Sequence, residues 1–238
     1  MVEGGSGMTT IGIVTTVWGD KYTGFISKWW EAVSSLERQP DEVTFVTDSI
    51  NEQEIRSHAP DNLVDRLNIV VVPNPQELDF NDFWDLAYRS CNQKWMATCC
   101  IDDVFLPKAL NAIDGADEAE AELVIDGCIM APHNHVWVGY WNPDEIFDKI
   151  TLPGNAPMTK ALYERVGGFD RDIYWSDWAF YMKAAKAGVK VYPTAVQRVI
   201  FDVGHDHPTR SGVLLDPATR RWADDQIRKY AAELRNRP

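Results

Sequence analysis

The stretch from Cys99 to Pro107 carries two consecutive carboxylates, Asp102 and Asp103, directly after an apolar run. Adjacent like charges repel, so a positive charge is expected to offset them. Carboxylate oxygens are hard ligands that suit Mg2+ or Mn2+, and these ions in turn favour diphosphate oxygens. The competing reading is a solvated strand end in which one Asp caps the next helix. A second chemical stretch runs from Glu164 to Lys183. Within it Gly167-Gly168 permits a tight turn with positive φ, and Asp177 falls at or just inside a helix N-terminus. An Asp there serves either as a cap or as a general base that the helix end keeps ionised.

The histidines offer further ligands. His205 and His207 are two apart and face the same way in an extended segment. Asp206 and Arg210 share that loop, where they could touch a diphosphate. His133 and His135 form a second pair beside Trp137 and Trp141. Two such pairs could make a zinc site, but thiolate spacing is missing. An acceptor wall or the surface is the better place for His133 and His135, and His58 is read as a surface residue. Tyr140, Trp141, Tyr174, Trp175 and Trp178 flank the proposed site, and sugar rings pack their apolar faces on aromatic planes. Core packing is the plainer role for any one of these rings.

These groups need elements to hold them. Residues 10–17 are a β-branched run that reads as a buried first strand. A helix follows, with Phe25, Trp29, Trp30, Val33 and Leu36 at helical spacing, and ends before Pro40. Further strands are expected at 42–47, 68–72 and 95–101, with a helix over 80–91 and another opened by Pro107. Beyond these come a strand at 123–130, a helix end breaking into a turn over 162–170, and a helix at 177–187 closed by Gly188. Strands at 189–192 and 196–201 and a charged helix at 217–235 finish the chain. Strands alternating with helices predict an α/β fold with a mostly parallel sheet. Asp102 and Asp103 would then lie at the C-terminal edge of that sheet, where open α/β folds bind ligands.

Taken in order, these features resemble the family-2 glycosyltransferases of the GT-A fold. The matching set is a strand ending in Asp48, the apolar strand into Asp102-Asp103 with Pro107 after it, Gly167 to Asp170, Asp177 and the helix ending in Gly188. It spans residues 9–193. The resemblance implies a single GT-A domain over residues 8–238, with a Rossmann-like, mostly parallel central sheet flanked by helices. A nucleotide-binding half covers about 8–107 and a smaller acceptor-binding half about 108–238. It implies that Asp102 binds the metal, that Asp103 assists through water or shapes the loop, and that Cys100 stands where the family usually has a first Asp. Asp48 matches the Asp that reads the nucleobase, usually uracil, and Thr15-Thr16-Val17 matches the loop that lines it. Asp177 matches the catalytic base, Ser176 replaces a Glu, and Lys183 stands where an Arg is common. A C-terminal His, His205 or His207, would complete the metal site. The donor side would thus draw on Thr15, Thr16, Val17, Asp48, Asp102, Asp103 and Arg210, and the acceptor side on Trp141, Tyr174, Trp175 and Ser176. The implied activity is an inverting, Mn2+- or Mg2+-dependent transfer of a sugar from a nucleotide-diphosphate donor, a UDP-sugar by preference, to an acceptor hydroxyl.

Composition bounds the alternatives. The 238 residues suffice for a sizeable core, and 45% hydrophobic content with ten tryptophans argues for a globular chain. A net charge of −13 without a dense Lys/Arg cluster argues against duplex nucleic acid as a partner. No apolar run or basic amphipathic segment points to a membrane. Residues 1–7 read as a linker or tag remnant. Cys91, Cys99, Cys100 and Cys128 form no CxxC pair, and Cys99 and Cys100 on a strand would point to opposite faces. Buried free thiols fit a reducing cytoplasm. A sugar-nucleotide pyrophosphorylase would need a Gly-rich basic loop after the first strand, which Thr15 to Asp20 lacks. A non-catalytic nucleotide-sugar-binding relative is the alternative from a different class, because Cys100 and Ser176 depart from the pattern. The oligomeric state is not set by the sequence.

Overall fold

The computed structural model describes residues 9–131, 133–154, 156–202 and 216–237. Ile11–Val17 (β1) is buried along its whole length and therefore takes a partner on each edge. Glu42–Thr47 (β2), also fully buried, pairs parallel with it, and Leu67–Val71 (β3) pairs parallel with β2. Between them Ile26–Ser34 (α1) turns Ile26, Trp29, Trp30 and Val33 inward, and Trp29 and Trp30 pack on Phe45 at ring distances of 5.0 and 5.4 Å. A short helix, Glu52–His58 (α2), was not expected from the sequence. Phe80–Ser90 (α3) starts at a capping box in which Asp79 and Asp82 each accept the other's backbone N–H. Trp95–Thr98 (β4) completes the parallel set on the other edge of β1.

The second half is mixed. Val104–Phe105 (β5) follows a turn, and residues 107–110 form a further turn before Asn111–Glu118 (α4), so Pro107 does not open the helix. Leu123–Ala131 (β6) forms a hairpin with His135–Val138 (β7). Met158–Thr159 (β8) joins β4 to β6 antiparallel and leads into Lys160–Arg165 (α5). Ser176–Lys186 (α6) ends before Gly188, whose φ of 67° closes it as expected. Val191–Asp202 (β9) is one strand of 12 residues rather than the two expected. Pro193 lies where the β6–β9 register shifts, so its missing N–H falls at an irregularity and does not end the strand. Pro217–Asn236 (α7) closes the chain.

The sheet order is β3-β2-β1-β4-β8-β6-β9-β5, with β7 beside β6. The sheet is parallel through its first four strands and mixed beyond them. Successive residues feed opposite faces: Ile13 and Ala97 join a core with Trp29, Phe45 and Trp95, while Val14 and Met96 join one with Phe83, Tyr88, Tyr163 and Phe180. No helix among the described residues is long and apolar enough to cross a membrane.

Candidate functional site

Strand β4 stops at Thr98, earlier than the sequence suggests, and residues 99–103 form the turn into β5. The Asp103 N–H donates to the Cys100 carbonyl at 3.0 Å. This fold of the turn brings Cys100 Sγ and the carboxylates of Asp102 and Asp103 within 4.8 Å of one another. Cys99 and Cys100 lie past the end of β4 yet still serve opposite faces, as expected: Cys99 joins the core of Trp29 and Phe45, and Cys100 packs against the core of Phe83 and Tyr88. Cys99 is buried, and Trp29 donates its indole N–H to the Cys99 carbonyl. Cys100 instead joins the acidic pair. Burial, reinforced by Asp103 and Asp102, pushes the Cys100 thiol well up. All four cysteines are free, as expected. Tyr22 faces the turn from before α1, and its hydroxyl is pushed up by burial and then by the nearby Asp102 and Cys100.

The donor set fits a divalent cation. Two hard carboxylates converge, with the Cys100 sulfur beside them, and hard oxygen ligands suit Mg2+ or Mn2+. The other expected ligands, His205 and His207, and the expected diphosphate contact Arg210 lie outside the described residues. His133 and His135 are exposed around the β6–β7 hairpin, and among the described residues neither belongs to a metal-ligand cluster. His58 is an exposed partner of Glu54 at 2.8 Å.

Asp48 is buried at the end of β2 and already holds protein groups. Its Oδ2 accepts the Gly19 N–H at 2.6 Å, and its Oδ1 accepts both the backbone and side-chain N–H groups of Asn51 at 3.1 and 2.9 Å. The carboxylate thus ties the loop after β1, where Gly19 adopts φ 72°, to the start of α2. Thr15, Thr16 and Val17 lie in β1 rather than in a loop, and their side chains are buried. The loop proper begins at Trp18, which stacks on Phe83 at 4.4 Å.

On the opposite side Gly167 and Gly168 adopt φ values of 83° and 69°, the left-handed turn their sequence calls for. Lys183 locks this turn, pairing with Asp170 at 2.9 Å and donating to the Gly168 carbonyl at 2.6 Å. Asp177 is then the second residue of α6. Its Oδ1 accepts the Trp178 N–H at 2.8 Å, while Oδ2 faces Gly154, where an added Cβ would lie 3.0 Å away. The helix end does help the charged form, but burial outweighs it and raises the Asp177 carboxyl above its ordinary value.

The acceptor-side candidates divide. Ser176 donates its hydroxyl to Asn81 Oδ1 at 2.9 Å, and Asn81 in turn donates to the carbonyls of Asp170, Arg171 and Ile173. Ser176 therefore fastens the turn to α3. Trp175 packs with the core of α6 and α7, and Trp141 packs on the core that holds Phe83 and Tyr88. Tyr174 is half-buried and sits edge-on to exposed Trp222 of α7 at 5.9 Å, an aromatic corner that sequence spacing could not pair.

Sequence reasoning missed two buried polar groups. Tyr88 bonds Thr98 Oγ1 at 2.5 Å, and burial pushes its hydroxyl well up. Arg198 of β9 is 1% exposed and pairs with Asp126 of β6, 2% exposed, at 2.6 Å. It also donates to the carbonyls of Thr98 and, at 3.1 Å, Gly154. An alternating strand with one Arg reads as half solvated, and nothing local in the sequence shows that Asp126 waits for it. A separate open depression of about 580 Å3, lined by Pro107, Lys108 and Thr194 to Gln197, contains none of these groups.

No family model matches the chain, and no curated protein matches it in sequence. Solved structures do match in shape. TarS from S. aureus, residues 1–349 in complex with UDP-GlcNAc, superposes with a TM-score of 0.69 at 13% identity, over 95% of this chain and 70% of that one. The same protein in complex with UDP gives 0.63 at 14% identity, over 96% and 71%. The mannosyltransferase PcManGT from Pyrobaculum calidifontis, in complex with GDP-Man and Mn2+, gives 0.62 at 13% identity, over 96% and 74%. At such identities the likeness concerns the fold alone, and the fold is the GT-A-like glycosyltransferase fold that the ordered motifs imply.

Proposed function

We propose that the chain is an inverting glycosyltransferase that uses a nucleotide-diphosphate sugar, a UDP-sugar by preference, and an acceptor hydroxyl. One observation carries the reading. The carboxylates of Asp102 and Asp103 converge in the turn at the C-terminal end of β4, the last of the four parallel strands, in a GT-A-like fold. A carboxylate pair at that edge to hold a cation, with Asp177 at the start of α6 to take a proton, is what a single displacement at an anomeric carbon needs.

Asp102, with Asp103 beside it, would hold a divalent cation, which when bound offsets the charge that builds on the departing diphosphate. Asp48 and the backbone around Trp18 and Gly19 form the end of the parallel strands that receives the nucleoside. Asp177 accepts the proton of the acceptor hydroxyl as its oxygen bonds to the anomeric carbon and the bond to the diphosphate oxygen breaks. A carboxylate raised by burial is a stronger base than one in water, and its partly buried place keeps competing water scarce. Tyr174 and Trp222 offer aromatic surface on the acceptor side.

UDP-GlcNAc and GDP-Man, the donors seen in the two solved neighbours, are the first probes. Thermal shift with each donor, with and without Mn2+, followed by nucleoside diphosphate release, tests the reading. Metal-dependent stabilisation with slow donor hydrolysis supports an enzyme. Stabilisation without hydrolysis, with every acceptor class tried, would make the chain a nucleotide-sugar binder.

A further inference from the structure

We propose that Arg198 is a positioning residue that sets the spacing between the acidic turn and the base, resting on the function proposed above. Its guanidinium spans three elements that carry the site. One N–H holds the carbonyl of Thr98, the last residue of β4 and four positions before Asp102. Another holds the carbonyl of Gly154 at 3.1 Å, and Gly154 is the residue against which Asp177 Oδ2 rests. The third, from Nε, is anchored on Asp126 at 2.6 Å. The planar fork fixes these three directions relative to one another, which an ammonium on a flexible stem cannot do.

The cost of the arrangement argues for such a role. Arg198 and Asp126 are almost fully buried, and Asp126 Oδ1 has no hydrogen-bond partner. Buried ion pairs commonly give no more stability than apolar residues of similar volume. An incompletely satisfied pair is therefore a poor device for stability, and the two backbone carbonyls it grips are the ones on which the two chemical groups depend. The segment around Gly154 is otherwise held at Pro153 and Ala156 by Tyr181 of α6 and at Pro157 by the Val124 N–H of β6. Without the guanidinium, the turn beneath Asp177 still follows α6 but loses its hold on the end of β4. Displacements of about 1 Å in such geometry cost on the order of 100-fold in rate.

The test compares Arg198→Lys, Asp126→Asn and the double variant Arg198→Met with Asp126→Leu. Lysine keeps the charge beside Asp126 but cannot grip both carbonyls in one plane. Asparagine keeps an acceptor for Nε and leaves both carbonyl contacts in place. The apolar double variant removes the ion pair and both contacts while filling the space, so that a folded protein is obtained even if the lysine variant fails to fold. Mn2+-dependent donor hydrolysis is measured with whichever of UDP-GlcNAc and GDP-Man the wild-type chain uses, alongside melting temperature. The expected result is a kcat lower by about 100-fold in the lysine and double variants, a donor KM within about threefold, and a kcat within about fivefold for Asp126→Asn. A double variant that melts near the wild type and keeps kcat within about fivefold overturns the proposal, as does a kcat that merely follows melting temperature across the three. A wild-type chain that hydrolyses neither donor refutes instead the function on which the proposal rests.

Discussion

Replacing Asp177 with Asn removes basicity and almost nothing else. The Asn Oδ1 can still accept the Trp178 N–H, so the bond that orders the first turn of α6 survives. General-base catalysis is worth about 10²- to 10⁴-fold, or about 3–5 kcal/mol at about 1.4 kcal/mol per decade. Transfer or donor hydrolysis should therefore fall by that factor, with Mn2+-dependent donor affinity unchanged. Stability should move the other way. Burial raises the Asp177 carboxyl in the folded chain above its unfolded value, so the folded state binds the proton more tightly. Folding is then most favoured below the unfolded value, and that advantage is lost as pH rises through the folded one. The Asn side chain carries no charge at any pH and escapes the loss. The variant should melt above the wild type at neutral pH, and the gap should close on acidification. Melting curves from pH 4 to pH 8 with rates on the same samples provide the assay. Wild-type turnover by the variant would end the assignment of Asp177 as base, and a stability gap that widens on acidification would refute the electrostatic reasoning.

The acid limb of the wild-type rate should lie above the usual carboxylate range of about 4, because the unprotonated base is the active form and burial raises it. Asp102→Ala should weaken Mn2+-dependent donor binding by at least about tenfold in a titration, while binding in the absence of metal changes little. Gly154→Ala places a methyl group 3.0 Å from Asp177 Oδ2 and should lower kcat by about tenfold or more with about 1 kcal/mol of stability lost. Gly168→Ala should cost about 2–3 kcal/mol, read from a urea midpoint. About 1–2 kcal/mol comes from a side chain at φ 69°, and about 1 kcal/mol from displacing Asp85, whose Oδ1 lies 2.5 Å from the new Cβ and accepts the Tyr163 hydroxyl.

Local chemistry made much of this protein legible. β-Branched runs marked β1 and β2, the Gly167-Gly168 pair marked its turn, and the helical spacing of Trp29, Trp30 and Val33 marked the buried face of α1. What escaped depends on partners far along the chain. Arg198 is 72 positions from Asp126 and 100 from Thr98, and only the parallel pairing of β6 with β9 brings them together. The bond from Ser176 to Asn81 likewise joins positions 95 apart. Strand ends were overrun where sequence kept the apolar pattern going: Cys99 to Ile101 continues the hydrophobicity of β4 but turns. In the opposite sense, β9 runs unbroken through the gap expected between 192 and 196, where the register is irregular.

The helix that carries Asp177 also suspends the chain in front of it. Trp178 donates its indole N–H to the Ile146 carbonyl, while the Tyr181 hydroxyl donates to Pro153 and accepts the Ala156 N–H at 2.8 Å. The main-chain amide of Ala156 is therefore protected by a side chain of α6 and not by a sheet partner. In hydrogen exchange the two segments should open as one cooperative unit, with a single free energy and a single response to urea. The exchange rate at Ala156 thus becomes a gauge of how long the base stays seated.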